Sequence, residues 1–384
     1  LVLVLLLAAG LAVVSIKTER WRHQARHSRA VNGLLLVLWA LFFFQGDAIS
    51  AFRQRGFRAW GIFPFEGTSL TKTWSLLETT NAFTSNTEFS QFKKLQDIRN
   101  RLPARVHAKL RPNIIFIHAE SLRADAFTPE VMPLLTARTA RCEKEGRCRV
   151  LRGHYTTGNN SSMGTFGILS GLLGYYYFPF KRALAAPMPL TVLKRMGYRG
   201  SLYSSTDWNY DGMRELLFNK EFEYFYPSLK LGHSNDLHME EFDQKMLEAY
   251  RGDLRRTDFK TAPRLDYIVT YMTHYDYYYS SRCAKFLPIA ELPFKFQNGA
   301  MAEMTEHFRK LHNRYLNGAC ETDYLVTDII KELQALGQWD NTILVLYGDH
   351  GEEFGEKGRM GHGNGHNDEQ VRTTFIAFFP TSVP

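Results

Sequence analysis

The sequence predicts an α/β fold with a doubly wound, mostly parallel sheet, preceded by transmembrane helices. Three observations carry this. Two short, β-branched apolar runs, 113–119 and 342–347, stop abruptly at carboxylate or imidazole side chains, Glu120 after the first and Asp349-His350 after the second. Such runs suit strands buried on both faces of a parallel sheet, and open α/β sheets place their sites beyond the carboxyl ends of the strands. From residue 111 onward strand-like and helix-like stretches alternate, as in a doubly wound sheet. Ahead of them, residues 1–16 carry no charge and 30–49 form a second, largely apolar stretch.

Taken in order, residues 1–49 read as a transmembrane region. The run 1–16 is the tail of a first span; a signal-peptide core would follow a Met and a basic start, and the chain shows neither. The loop 17–29 holds Lys17, Arg20, Arg22, Arg26 and Arg29 against a single acid, Glu19, which makes it cytoplasmic by the positive-inside rule. The second span has its apolar core at 33–44, shorter than the roughly 20 residues a span needs. A buried core helix is the alternative, and the basic loop before it favours a span. Two spans put everything after residue 50 outside the cytoplasm. Residues 50–110 form a juxtamembrane connector in which Phe52, Phe57, Trp60, Phe63 and Phe65 alternate with Arg53, Arg55 and Arg58, an interfacial pattern; a helix is expected near 90–101.

The domain 111–384 follows. Its strand candidates are 113–119, 200–204, 266–273, 342–347 and 374–379; its helix candidates are 133–144, 163–173, 188–196, 240–251, 300–309 and 315–336. The stripe Tyr315, Leu316, Ala319, Thr322, Leu325, Val326, Ile329, Ile330 and Leu333 has helical spacing and reads as core packing. The chain opens inside an apolar run without a Met and closes on Pro384 soon after a strand-like run, so further elements are expected at both ends.

With 384 residues, 45% of them hydrophobic, the chain can form one large domain plus appendages. The net charge of +8 is not gathered into a dominant Lys/Arg block with interleaved aromatics, which argues against nucleic acid and suits a protein facing an anionic lipid bilayer. The four cysteines form no Cys-x-x-Cys pair, which weakens a zinc-ribbon or thioredoxin-like reading. In an exported domain they permit two disulfides, with Cys142 and Cys148 able to bridge locally; free thiols are the alternative.

The stretch with most chemistry runs from Tyr155 through Asn159-Asn160-Ser161-Ser162 to Leu172, a polar turn feeding an apolar helix. A hydroxyl at a helix N-terminus sits where backbone N–H groups stabilise an anion, and beside a metal ion it becomes a nucleophile; on this stretch alone, a simple N-cap serine is the better reading. His274 ends the run 267–273 and is followed by Tyr275, Tyr277, Tyr278 and Tyr279. Carboxylates and imidazole meeting at one sheet edge suit zinc or manganese, with magnesium and calcium left open.

Taken together, Glu120, the Ser161 turn and Asp349-His350-Gly351 resemble the metal site of the alkaline phosphatase/sulfatase superfamily. Among its members the pattern is most similar to the membrane-anchored lipoteichoic-acid synthases and lipid A phosphoethanolamine transferases. The run Asp349-His350-Gly351-Glu352, with Gly355-Glu356, Gly358 and Gly361-His362-Gly363, resembles the transferases in detail, and the resemblance covers about 111–384. It implies a divalent metal held by Glu120, Ser161, Asp349 and His350, with Ser161 in the place of the transferases' Thr nucleophile. It also implies His274 and His362 near the transferred group. Two departures matter. Met163 and Thr165 break the Cys/Ser-x-Pro/Ala-x-Arg pattern from which sulfatases make formylglycine, so a serine alkoxide mechanism is expected. Ser121 stands where sulfatases place a second Asp, so one tight metal site is expected.

The reading is a metal-dependent hydrolase or transferase that cleaves a phospho- or sulfo-ester through Ser161. It acts on a membrane lipid or cell-envelope glycan at the outer face of the plasma or inner membrane, with His274, His362, His366 and Trp208 binding substrate. Two rivals stand beside it: a catalytically inactive sulfatase-fold membrane protein that binds lipid as a sensor, and a true sulfuric ester hydrolase.

Overall fold

The computed structural model describes residues 101–182, 185–206, 208–218, 221–227, 239–259, 261–291 and 301–381. The expected spans, basic loop and nearly all of the connector lie outside the described residues. Among the described residues no helix is long and apolar enough to cross a membrane.

The strands are β1 Asn113–Ala119, β2 Cys148–Val150, β3 Arg199–Ser204, β4 Phe222–Phe225, β5 Arg264–Thr270, β6 Thr342–Tyr347, β7 Glu353–Phe354, β8 Met360–Gly361 and β9 Phe375–Phe378. The α-helices are α1 Pro133–Lys144, α2 Ser161–Ser170, α3 Tyr177–Arg182, α4 Met188–Arg195, α5 Met213–Leu217, α6 Met239–Arg256, α7 Met301–Ala335 and α8 Asp368–Val371. Seven strands form the main sheet in the order β2-β9-β6-β1-β5-β3-β4, and β7 pairs with β8 apart from it. The strands β6, β1, β5, β3 and β4 are mutually parallel; β9 runs antiparallel to β6 and β2 antiparallel to β9.

Helices cover both faces. On one, Ile115, Ile117, Tyr203, Ile268 and Leu346 of the sheet pack with Met246 and Tyr250 of α6 and with Tyr315, Val326 and Ile330 of α7. On the other, Tyr267, Val269, Val345 and Tyr347 pack with Phe166 and Leu169 of α2, Leu190 of α4 and Leu216 of α5. Side chains alternate along a strand, so β1 sends Ile115 and Ile117 to the first face and Ile114 and Phe116 to the second.

Of the main sheet's strands, two have no counterpart among the sequence candidates, β2 and β4, and they close its ends. They are 3 and 4 residues long and carry Arg149 and Glu223. Short, charged edges resist pairing with another chain, and they leave little periodicity to read. The candidates 300–309 and 315–336 are a single helix, α7: the residues between them contain no Gly or Pro, and Leu311 among them is buried. The predicted 163–173 is α2, which starts earlier at Ser161 and ends at Gly171, whose φ of 71° is the left-handed stop glycine favours. The cysteines form two disulfides, Cys142–Cys148 and Cys283–Cys320.

Candidate metal centre

The carboxyl ends of β1 and β6 are neighbours in register, His118 of β1 lying beside Tyr347 of β6. The chain leaves β1 through Glu120 and β6 through Asp349 and His350, so both sets of donors emerge at one edge. Glycine makes the approach close enough. A Cβ on Gly348 would lie 2.2 Å from the Leu122 carbonyl, and a Cβ on Gly164 of α2 would lie 1.9 Å from the Asp349 carbonyl. Thr156 Oγ1 donates to that same carbonyl at 2.6 Å. The α2 N-terminus is thereby pressed against the Asp349 turn. Asn160 caps it by accepting from Met163 N at 3.0 Å.

Ser161, the first residue of α2, donates its hydroxyl to Glu120 Oε1 at 2.6 Å and lies 3.3 Å from His350 Nε2. His350 Nε2 is 3.3 Å from Glu120 Oε1 and 3.4 Å from Asp349 Oδ2. The other Asp349 oxygen accepts from Ser121 N at 3.1 Å. Ser121 has φ of 63°, a strained conformation for a residue with a Cβ, and it turns that N–H toward Asp349. The four residues Glu120, Ser161, Asp349 and His350 therefore meet.

A fifth side chain, not singled out by the sequence reading, joins them. His118 Nε2 lies 3.0 Å from Asp349 Oδ2 and 3.3 Å from Glu120 Oε2. Its signal was present: His118 interrupts an apolar strand two residues before Glu120, on the same face. It is packed between Tyr347, stacked at 5.2 Å, and the edges of Trp208 and Tyr267.

These residues fit a divalent cation. His118 Nε2, Glu120 Oε2 and Asp349 Oδ2 are buried and have no hydrogen-bond partner, a costly state unless something satisfies them. A cation with bonds of about 2.0–2.2 Å in a tetrahedral site sets neighbouring ligands about 3.3 Å apart, and the nitrogen-to-carboxylate separations here are 3.0–3.4 Å. Without a cation, protons take its place. Burial lowers the affinity of His118 and His350 for protons, but the carboxylates of Asp349 and Glu120 outweigh it and carry the two imidazoles up to about 9 and about 10. Burial likewise opposes ionisation of Glu120, and the two imidazoles overcome it, holding Glu120 well below the usual carboxylate range.

A second group, His350, Glu352 and His362, borders the first. Glu352 accepts from Tyr277 OH at 2.7 Å and pairs with His362 Nδ1 at 2.6 Å. The His362 ring lies 4.0 Å from that of His350 and 6.3 Å from that of His274. Glu352 also escaped the sequence reading as a functional residue; it follows His350 by two positions. The donors at the centre of the first group are closed off, whereas the His362 side chain is 26% exposed and Ser161 is 9% exposed. Among the described residues the centre is therefore most open to solvent on the Ser161 and His362 side.

The remaining predicted contacts are placed differently. His274 is half-buried beside this opening, with Nδ1 2.7 Å from the Tyr275 carbonyl. His366 is exposed on the loop beyond His362. Trp208, expected to line a substrate pocket, is 5% exposed and packs against Phe218, Tyr267 and His118. Its large ring is taken up by the aromatic core beneath the centre, so among the described residues it walls the centre from below.

Comparison with known proteins places this architecture. The chain belongs to the sulfatase family, whose model matches residues 112–384. In fold it resembles the C-terminal periplasmic domain of EcEptC from Escherichia coli in complex with Zn, at 17% identity over 71% of this chain and 74% of that one, with a TM-score of 0.55. It also resembles the soluble domain of lipooligosaccharide phosphoethanolamine transferase A from Neisseria meningitidis, at 18% identity over 72% and 79% of the two chains, TM-score 0.52. The lipoteichoic acid synthase LtaP from Listeria monocytogenes is similar at 14% identity over 76% and 72%, TM-score 0.50. An uncharacterized Haemophilus influenzae protein is 29% identical over 110 residues, 29% of this chain and 18% of its own length, so the match spans less than a fifth of that relative.

Proposed function

We propose that the chain is a metal-dependent transferase or hydrolase that cleaves a phospho- or sulfo-ester through Ser161. The observation that carries this is the Ser161 hydroxyl at the head of α2, bonded to Glu120 and within 3.3 Å of His350. Glu120, Asp349 and His350, with Ser161 itself, would hold a divalent ion. Bound there, such an ion lowers the hydroxyl pKa and neutralises charge on the transferred group.

The chain's own residues position the groups in the proton steps. Ser161 Oγ forms the new bond to phosphorus as the bond to the leaving alcohol breaks; its hydroxyl is oriented by the 2.6 Å hydrogen bond to Glu120 Oε1, and its proton passes to water. Glu352 occupies His362 Nδ1, which leaves Nε2 as the nitrogen that meets the leaving oxygen and supplies its proton. His274, across the opening, binds the transferred group's oxygens. An acceptor hydroxyl, amine or water then attacks the Ser161 ester, the bond to Oγ breaks, and Ser161 regains a proton.

The substrate class is a membrane lipid or envelope glycan headgroup. Supporting this are the apolar N-terminal runs with their basic loop, the two disulfides, which form in oxidising compartments outside the cytoplasm, and structural relatives described as periplasmic domains and as a lipooligosaccharide phosphoethanolamine transferase. The test is intact-mass analysis after incubation with phospholipid and zinc or manganese. A mass gain equal to a headgroup phosphate, absent in Ser161→Ala, is the expected result. Formylglycine at position 161, or full phosphodiester turnover by Ser161→Ala, would overturn the mechanism.

A further inference from the structure

We infer that His118 Nε2 is a direct ligand in the metal centre, closing it from the interior of the sheet. The inference rests on the metal-centre reading given above and adds a ligand to it.

The geometry is specific. Glu120 divides its oxygens: Oε1 faces Ser161 and His350, and Oε2 faces His118. Asp349 Oδ2 faces both imidazoles, at 3.0 Å from His118 and 3.4 Å from His350. A single cation among these atoms therefore has His118 on its inner side and Ser161 on its outer side. His118 Nε2, Glu120 Oε2 and Asp349 Oδ2 are three fully or almost fully buried atoms without hydrogen-bond partners, and they face one another. The second nitrogen of His118 is engaged, with Nδ1 3.2 Å from Tyr267 OH, which in turn bonds Tyr347 OH. A partner on one ring nitrogen that fixes the tautomer and orientation of the other is the usual support of a ligating histidine.

Sequence position explains how the strand supplies it. His118 and Glu120 are two residues apart and project from the same face of the chain. The face that carries Ile114 and Phe116 into the apolar layer thus delivers an imidazole and then a carboxylate where the strand ends. Trp208, Tyr267 and Tyr347 enclose the ring and exclude water from that side. An ion held by these atoms would thus meet protein on the His118 side, and among the described residues the more exposed side of the centre is that of Ser161 and His362.

Zinc-edge X-ray absorption on the full 384-residue chain, loaded to one zinc per chain, tests this by counting imidazoles. Two are expected in the wild type and one in His118→Gln, whose zinc dissociation constant, measured by chelator competition, rises at least about tenfold. One imidazole in the wild type, or an unchanged count in His118→Gln, overturns the role of His118 and leaves the rest of the centre standing. A wild type that binds no zinc overturns the centre itself. The wild-type count alone decides the question if His118→Gln does not fold, and His350→Gln provides the matching loss of one imidazole.

Discussion

Ser161 Oγ and Glu120 Oε1 are hydrogen-bonded at 2.6 Å although they stand 41 positions apart in the chain. The contact joins the head of α2 to the end of β1 and sets the hydroxyl beside the buried donors. Ser161→Ala removes the proposed nucleophile and leaves Glu120, Asp349 and His350 in place. Turnover of a phosphodiester should fall at least about 10³-fold, while zinc content measured by atomic absorption stays close to one per chain. Turnover within tenfold of wild type would remove Ser161 from the chemistry.

Gly164 holds α2 against the Asp349 turn. An added Cβ would lie 1.9 Å from the Asp349 carbonyl, whereas at Gly153 it would meet nothing within 4 Å. Gly164→Ala should therefore cost about 1–3 kcal/mol and weaken zinc binding, with Gly153→Ala close to neutral in both. Urea midpoints and chelator competition measured on the pair check this; equal behaviour of the two variants would contradict it.

Glu352 serves two partners, and two substitutions separate them. Gln at 352 keeps an oxygen to accept from Tyr277 OH but offers an amide where His362 Nδ1 met a carboxylate. We expect Glu352→Gln to lower kcat about 10- to 100-fold with stability nearly unchanged. Glu352→Ala should lose the same activity and about 1–3 kcal/mol besides, because Tyr277 OH is then buried without a partner. Rates compared with thermal midpoints distinguish the outcomes.

Asp243 gives a pH signature of its own. Burial pushes its carboxyl up to about 7, opposed by hydrogen bonds from Ser205 Oγ and Tyr271 N. An acid raised in the folded state binds more protons there than in the unfolded chain between about pH 4 and 7. Stability is therefore lost as pH rises through that window, by up to about 4 kcal/mol from this group. The stability advantage of wild type over Asp243→Asn should shrink from pH 4.5 to pH 7.5 in urea titrations. An advantage that grows with pH would refute the protonated form.

The two disulfides close loops of different size, with sequence separations of 37 for Cys283–Cys320 and 6 for Cys142–Cys148. Chain-entropy arguments assign about 4 kcal/mol to the first and about 2 kcal/mol to the second. Replacing both cysteines of a pair by Ala should lower the thermal midpoint more for 283/320 than for 142/148. The reverse order would show that the longer loop is already ordered in the unfolded chain.

Much of the central sheet was legible in the sequence because its strands are buried on both faces and read as continuous apolar runs, as 113–119 and 342–347 do. The edge strands β2 and β4 were not, since short charged segments become strands only when a neighbour offers its hydrogen bonds. At the centre, Glu120, Ser161, Asp349 and His350 were named from motif resemblance. His118 interrupts an apolar strand two residues before Glu120, but along the chain that position suits a core histidine as well as a donor, and only the fold brings it against Asp349. Trp208 was expected to line a substrate pocket, and only packing reveals that its ring is interior.

The sequence by itself determined the α/β class, the family, the order of the central elements and which residue types could bind a metal. Those properties follow from periodicity, from turn chemistry and from short motifs, all of them local along the chain. Only the tertiary structure decided that His118 stands against Glu120 and Asp349, that Glu352 pairs with His362, and that the Ser161 hydroxyl meets Glu120. Each depends on side chains from different strands and loops meeting across the sheet edge, and distances between segments remote in the chain are fixed by packing of the whole domain.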